Sequence, residues 1–218
     1  MSHNRGFTIT ELLVAIAVST IMVGVLFTVT FRYYVATVKA EVTTQMALES
    51  HSLLTQLTED IRLANAIAET NLITDPNGPP EGWETNDPSN IIIVESPATD
   101  SNRDLIYDQL TGYPYANEFI YFTQDNLMYK RVLKNDSAPN NTAVTTCPEA
   151  MVSPTCPGDR LFSSNTANLT FTFYDATDTQ TTDASQARSV AFSVNMAKEV
   201  YGQTIELSNS TRVTLRNQ

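Results

Sequence analysis

Residue types that do chemistry are scarce in this 218-residue chain. Only two histidines occur, His3 and His51. His51 stands between Ser50 and Ser52 on a helical stretch with no pocket in which a Ser-His-Asp arrangement would form, so it reads as a solvated face residue. Seven glycines are too scattered to build a phosphate-cradling loop. Basic residues are also few: 13 Lys and Arg against 24 Asp and Glu leave a net charge of −11. That sign disfavours contact with nucleic acid, which needs a basic patch. Neither proline nor glycine occurs from Val25 through Ala68, so no helix breaker interrupts that stretch. These absences argue against an enzyme and against a nucleic-acid binder, and no cofactor is expected.

What is present begins at the N-terminus. Arg5-Gly6-Phe7-Thr8-Ile9-Thr10-Glu11 runs directly into an uncharged, mostly apolar stretch from Leu12 to Phe31. Its twenty residues, at about 1.5 Å per residue, span roughly 30 Å, the hydrocarbon thickness of a bilayer. Ser19, Thr20, Thr28 and Thr30 interrupt it, and each hydroxyl can bond back to its own helix. Ala15-Ile16-Ala17 looks like a signal-peptidase site, but a cut there leaves an apolar region of only three residues, Leu12 to Val14, where 7–15 are usual. A spanning helix is the better reading. Glu11 is its one costly residue, since a carboxylate in a bilayer costs up to about 2.5–3.5 kcal/mol at the centre and less at the interface.

Gly6-Phe7-Thr8-Ile9-Thr10-Glu11-Leu12-Leu13 closely resembles the class III signal of type IV prepilins and type II secretion pseudopilins. The resemblance implies cleavage between Gly6 and Phe7 by a membrane aspartyl prepilin peptidase, methylation of the new terminal Phe7, and Glu11 as the fifth residue of the mature chain. It covers about thirty residues. Further on, Glu59-Asp60-Ile61-Arg62-Leu63-Ala64 and Val213-Thr214-Leu215-Arg216-Asn217 look like the minor pilins of the PilW and GspJ-like group. In a packed filament, Glu11 of one subunit would meet the positive terminus of a neighbour's Phe7, leaving neither charge unpaired in an apolar core. The alternative is that Glu11 sits at headgroup level and interacts with its own helix N-terminus.

From Arg32 the pattern turns amphipathic. Val35, Val38, Val42, Met46, Leu53, Leu57, Ile61 and Ala64 recur at spacings of three and four. One helix is therefore predicted from Phe7 to about Asn65, with Glu49 interrupting a stripe that an apolar residue would suit better. The apolar positions do not keep strict heptads, which favours packing on a sheet over a homodimeric coiled coil. A polar loop rich in Pro and Gly follows from Thr74 to Pro88, with Trp83 expected to pin it to the domain. Strands are predicted at Ile91–Glu95, weakly at Leu105–Tyr107, and in a hairpin of Glu118–Thr123 and Leu127–Leu133 across Gln124-Asp125-Asn126. Further strands are predicted at Leu169–Tyr174, Ser189–Met196, Thr204–Leu207 and Arg212–Leu215.

The fold class is thus α+β and pilin-like, a long N-terminal helix packed on an antiparallel sheet. The expected divisions are a leader at 1–6, a transmembrane half-helix at 7–31, an amphipathic half-helix at 32–66, and an exported β-rich domain at 67–218. Cys147 and Cys156, nine positions apart in an exported domain, are expected to form a disulfide. No metal site is expected. Asp100, Asn102 and Asp104 begin like a calcium loop, but Leu105 stands where the loop needs Gly and Thr111 where it needs Glu, so a solvated acidic turn is the preferred reading.

The function this supports is a minor pilin or pseudopilin, a non-enzymatic subunit of a type IV pilus or related filament. Its expected partners are the prepilin peptidase, other pilin or pseudopilin subunits, the inner-membrane assembly platform, and membrane lipid before assembly. Expected locations are the cytoplasmic (inner) membrane, single-pass with the domain exported, and then a surface pilus or periplasmic pseudopilus. The alternatives are a major pilin or adhesin subunit, and a single-span membrane protein with an exported binding domain.

Overall fold

The structure, a computed structural model, describes residues 8–85 and 91–216. One helix, α1 (Ile9–Leu63), runs for 55 residues, about 80 Å at the usual rise. It starts at a capping box in which Thr8 is the N-cap and Glu11 the third helical residue. It ends two residues before the predicted Asn65, because the Asn65 amide is drawn to the carbonyl of Glu95 at 2.8 Å and Ala64 turns extended.

Two antiparallel sheets follow where one was predicted. The first has five strands in sequential order, β1 (Ala66–Ala68), β2 (Ile92–Pro97), β3 (Ala116–Gln124), β4 (Leu127–Leu133) and β5 (Arg160–Ser163). The second has four, β6 (Thr166–Tyr174), β7 (Gln180–Thr181), β8 (Ser189–Val200) and β9 (Gln203–Thr214), in the order β7-β6-β8-β9. The two strands predicted near the C-terminus are one: β9 pairs with β8 without a break, and the polar Ser208-Asn209-Ser210 stays in the ladder. Thr204–Leu207 and Arg212–Leu215 look separate only because their hydrophobicity fades between them. Leu105–Tyr107 forms no strand and contributes isolated bridges to Thr99 and Pro114.

The helical stripe buries Val42, Met46, Leu53, Leu57 and Ile61 against both sheets, sharing a core with Ile92, Val94, Tyr121, Leu169, Phe173, Val190, Phe192, Val194 and Met196. Removing a Leu-sized side chain from water stabilises by about 1.5–3 kcal/mol, so this half of α1 is held by packing. Polar residues within the contact are paired. Ser50, buried in the stripe, accepts a hydrogen bond from Asn209 on β9 at 2.8 Å. Glu49, at its flank, accepts from Ser163 at 3.3 Å and Asn165 at 3.0 Å. The expected flaw in the stripe is therefore a satisfied joint between the helix and the end of β5. Asp60 binds Lys130 on β4 at 2.5 Å and accepts from Tyr121 on β3.

The outer face of the first sheet carries its own core of Ile93, Ile120, Phe122 and Leu133, covered by the loop that follows β1. Trp83 is buried there against Phe122, with ring centroids 4.8 Å apart, and its indole N–H donates to Asp75 at 2.8 Å. It pins the loop, as expected. The hairpin between β3 and β4 turns on Asp125 and Asn126, both in the left-handed region (φ 51° and 61°), with Gln124 already in the strand opposite Leu127.

Candidate functional site

Two parts of the chain combine unusual chemistry with defined geometry. In the N-terminal half of α1, Leu12, Ile16, Ile21, Leu26 and Phe27 are all more than half exposed, and nothing in this region is buried. Among the described residues α1 is the one helix long and apolar enough to cross a membrane. Thr20 and Thr28 turn their hydroxyls onto the carbonyls of Ile16 and Gly24, at 2.8 and 2.9 Å, so neither presents a free donor to an apolar surrounding.

Glu11 lies at the mouth of this segment. Its carboxylate accepts from the Thr8 amide at 2.9 Å and the Thr8 hydroxyl at 2.8 Å, while the Thr8 hydroxyl accepts from the Glu11 amide at 3.4 Å. In the single chain this is the local arrangement expected of a glutamate paired with its own helix N-terminus. Gly6 and Phe7, the expected cleavage pair, lie outside the described residues.

The second part lies on the outer face of the first sheet. Arg131 on β4, next to Lys130, has a side chain only 3% exposed. It meets Asp159 at 2.6 Å and Asp75 at 2.8 Å, and donates to the carbonyl of Asn77 at 3.2 Å. Burial opposes its charge, and the hydrogen bonds it donates to Asp159 and Asp75 outweigh that opposition and hold it firmly protonated. Thr146 donates to Asp159 at 2.7 Å. A cleft of about 730 Å³ opens beside the cluster, with Tyr129, Glu149 and Leu161 among its walls. All three Arg131 nitrogens are spent on internal partners, so the cluster works as a bolt joining the 74–83 loop, β4 and the disulfide loop. The sequence signal was an arginine beside Lys130 in an otherwise apolar and aromatic strand, Leu127–Leu133, and nothing in its spacing named Asp75 or Asp159 as partners.

Cys147 and Cys156 are joined as expected, with Cα atoms 5.7 Å apart. The loop is tied back to β4 through the Thr146 amide and the Val132 carbonyl at 2.9 Å. Asp100 accepts from the amides of Asn102 at 2.8 Å and Asp104 at 3.0 Å, closing a turn in which Arg103 is left-handed. Among the described residues no group of three or more His, Cys, Asp or Glu is placed to hold a metal ion. His51 is exposed on α1.

One acidic pair, Glu118 buried and Glu95 half-buried, escaped the sequence reading. Glu95 and Glu118 are directly opposed across β2 and β3. Glu118 accepts from the amides of Leu72 at 2.7 Å and Ile73 at 3.2 Å. Burial raises both carboxyls above their ordinary range.

Residues 1–27 match the family model of the prokaryotic N-terminal methylation motif. The match supports a prepilin signal of the type IV pilin kind, and with it a subunit of the type IV pilin or pseudopilin type. With the exposed apolar helix behind it, the motif fits a single-pass inner-membrane protein. No curated protein and no solved structure matches the chain.

Proposed function

We propose that this chain is a minor pilin or pseudopilin of the PilW and GspJ-like group, cut between Gly6 and Phe7, methylated on Phe7, and packed by α1 into a filament or its initiating complex. The observation that carries this reading is the methylation motif joined directly to a helix that is apolar and exposed from Ile9 to Phe31. A surface of that kind needs either lipid or the apolar helices of other subunits. Glu11 then acts as the assembly register. In the membrane its carboxylate is satisfied by Thr8, and in the filament it exchanges that local partner for the terminal amine of a neighbour's Phe7. The domain at 67–218 is the exported part, with irregular, disulfide-tied loops that suit a specialised subunit better than a repeating one.

Mass spectrometry of the chain expressed with its cognate peptidase tests the processing step. A mature chain beginning at a methylated Phe7 is expected, and Gly6→Ala is expected to abolish it. Recovery of a chain beginning at Met1, or normal maturation of Gly6→Ala, overturns the reading. Glu11→Val is expected to be processed normally but lost from purified filaments, which separates assembly from cleavage. Counting subunits in those filaments decides minor status, and abundance near that of the bulk subunit would make this a major pilin.

A further inference from the structure

The turn between β8 and β9 consists of Tyr201 and Gly202, both in the left-handed region at φ 51° and 70°. Glycine takes that conformation freely, but turns of this kind otherwise favour Asn or Asp, and a bulky aromatic there is held against its preference. Tyr201 meets Tyr34 of α1 edge-on with ring centroids 6.4 Å apart. Neither is buried by the contact: Tyr201 and Tyr34 are each 56% exposed, and Tyr33 is 75% exposed. One residue further, Gln203 accepts a hydrogen bond from the Lys39 ammonium.

The tip of this hairpin therefore touches α1 immediately past Phe31, where the apolar run ends. Three residues of helix advance about 4.5 Å. The headgroup layer is roughly 5–8 Å deep on each side of a hydrocarbon core about 30 Å thick, so Tyr34 and Tyr201 fall within it. Cations are also concentrated here: Arg32, Lys39 and Lys198 stand with Glu199, and with Glu41 and Glu206 farther along α1 and β9, in a chain whose net charge is −11. Exposed tyrosines beside long cations have the chemistry that a bilayer interface selects.

We propose that the β8–β9 tip, with Tyr33 and Tyr34, forms a foot that rests in the lipid headgroup layer and seats the domain on the membrane while α1 still spans it. This rests on reading the segment ending at Phe31 as membrane-spanning. Because α1 continues unbroken from that segment into the core, the foot sets the domain's height and tilt over the bilayer, and extraction into a filament must release foot and span together.

Fluorescence of the full chain in vesicles of phosphatidylethanolamine and phosphatidylglycerol tests this, using lipids brominated either near the headgroup or near the chain end. The native chain reports only Trp83, remote from the foot on the outer face of the first sheet. Tyr201→Trp is expected to add emission that the shallow bromines quench more strongly than the deep ones, with the native signal unaffected. Phe27→Trp is expected to show the reverse depth preference. If Phe27→Trp is quenched but the emission added by Tyr201→Trp is not, the foot is overturned and the span stands. If neither is quenched, the span falls and the foot with it.

Discussion

Val18 and Leu53 belong to one unbroken helix, yet Val18 is 53% exposed and Leu53 only 1%. The two halves of α1 share backbone geometry and a lack of breakers, and they differ in what surrounds them. The distal half presents a stripe and has two sheets to receive it, so its apolar surface is buried within the chain. The proximal half is apolar all round and, among the described residues, has nothing from its own chain to pack against. Helix continuity is a local property, whereas the medium of each half is set by what the rest of the fold supplies.

The strongest way to break this contrast is to remove Arg131 from the bolt that secures the loops of the folded half. Arg131→Ala leaves Asp75 and Asp159 buried without their cation, and removing one partner of such a pair costs roughly 3–5 kcal/mol. Denaturant unfolding of the detergent-solubilised chain, followed by Trp83 fluorescence, is expected to show that loss. Truncation within α1 sharpens the contrast. Leu57→Ala is expected to cost about 2–5 kcal/mol in the same measurement, because it opens a cavity in the core. Leu26→Ala, on the exposed half, is expected to change domain stability by less than about 0.5 kcal/mol. Equal effects from the two substitutions would end the two-media reading.

Smaller effects are expected at the loops. Cys147→Ser frees a chain segment whose closure contributes roughly 2–3 kcal/mol in the chain-entropy model, and unfolding with and without reductant should show the difference in the native chain but not in the variant. The smallest change is at Glu95. Its carboxyl is raised on folding by burial, so the native chain has the full benefit below the ordinary carboxylate range, about pH 4, and loses it as pH climbs through the raised value. Glu95→Gln cannot ionise. It is therefore expected to melt higher than the native chain at neutral pH, with the difference shrinking towards pH 4. A gap that widens on acidification would show that Glu95 is stabilised as a carboxylate.

Most of the fold was legible because its signals are periodic and local. The stripe from Val42 to Ile61, the alternation of Val190, Phe192, Val194 and Met196, and the polar turn between β3 and β4 each express a period or a turn preference within a few residues. What was not legible joins distant positions through polar groups, which have no period. Ser50 with Asn209, Arg131 with Asp75 and Asp159, and Glu95 beside Glu118 are partners only because separate strands and loops converge. Strand β5, short and flanked by polar residues, has too weak an alternation to be seen without β4 beside it.

From the sequence alone came the motif at the N-terminus, the spanning length of Leu12 to Phe31, the unbroken helix and the cysteine pair. Each depends on neighbouring residues or on spacing along the chain. The tertiary structure alone decided that there are two sheets, that Glu49 is a joint with the end of β5, and that Tyr201 returns to Tyr34 at the end of the apolar run. The physical reason is the same in each case: hydrogen bonds and ring contacts act over a few ångströms, and only the folded chain brings residues more than a hundred positions apart within that range.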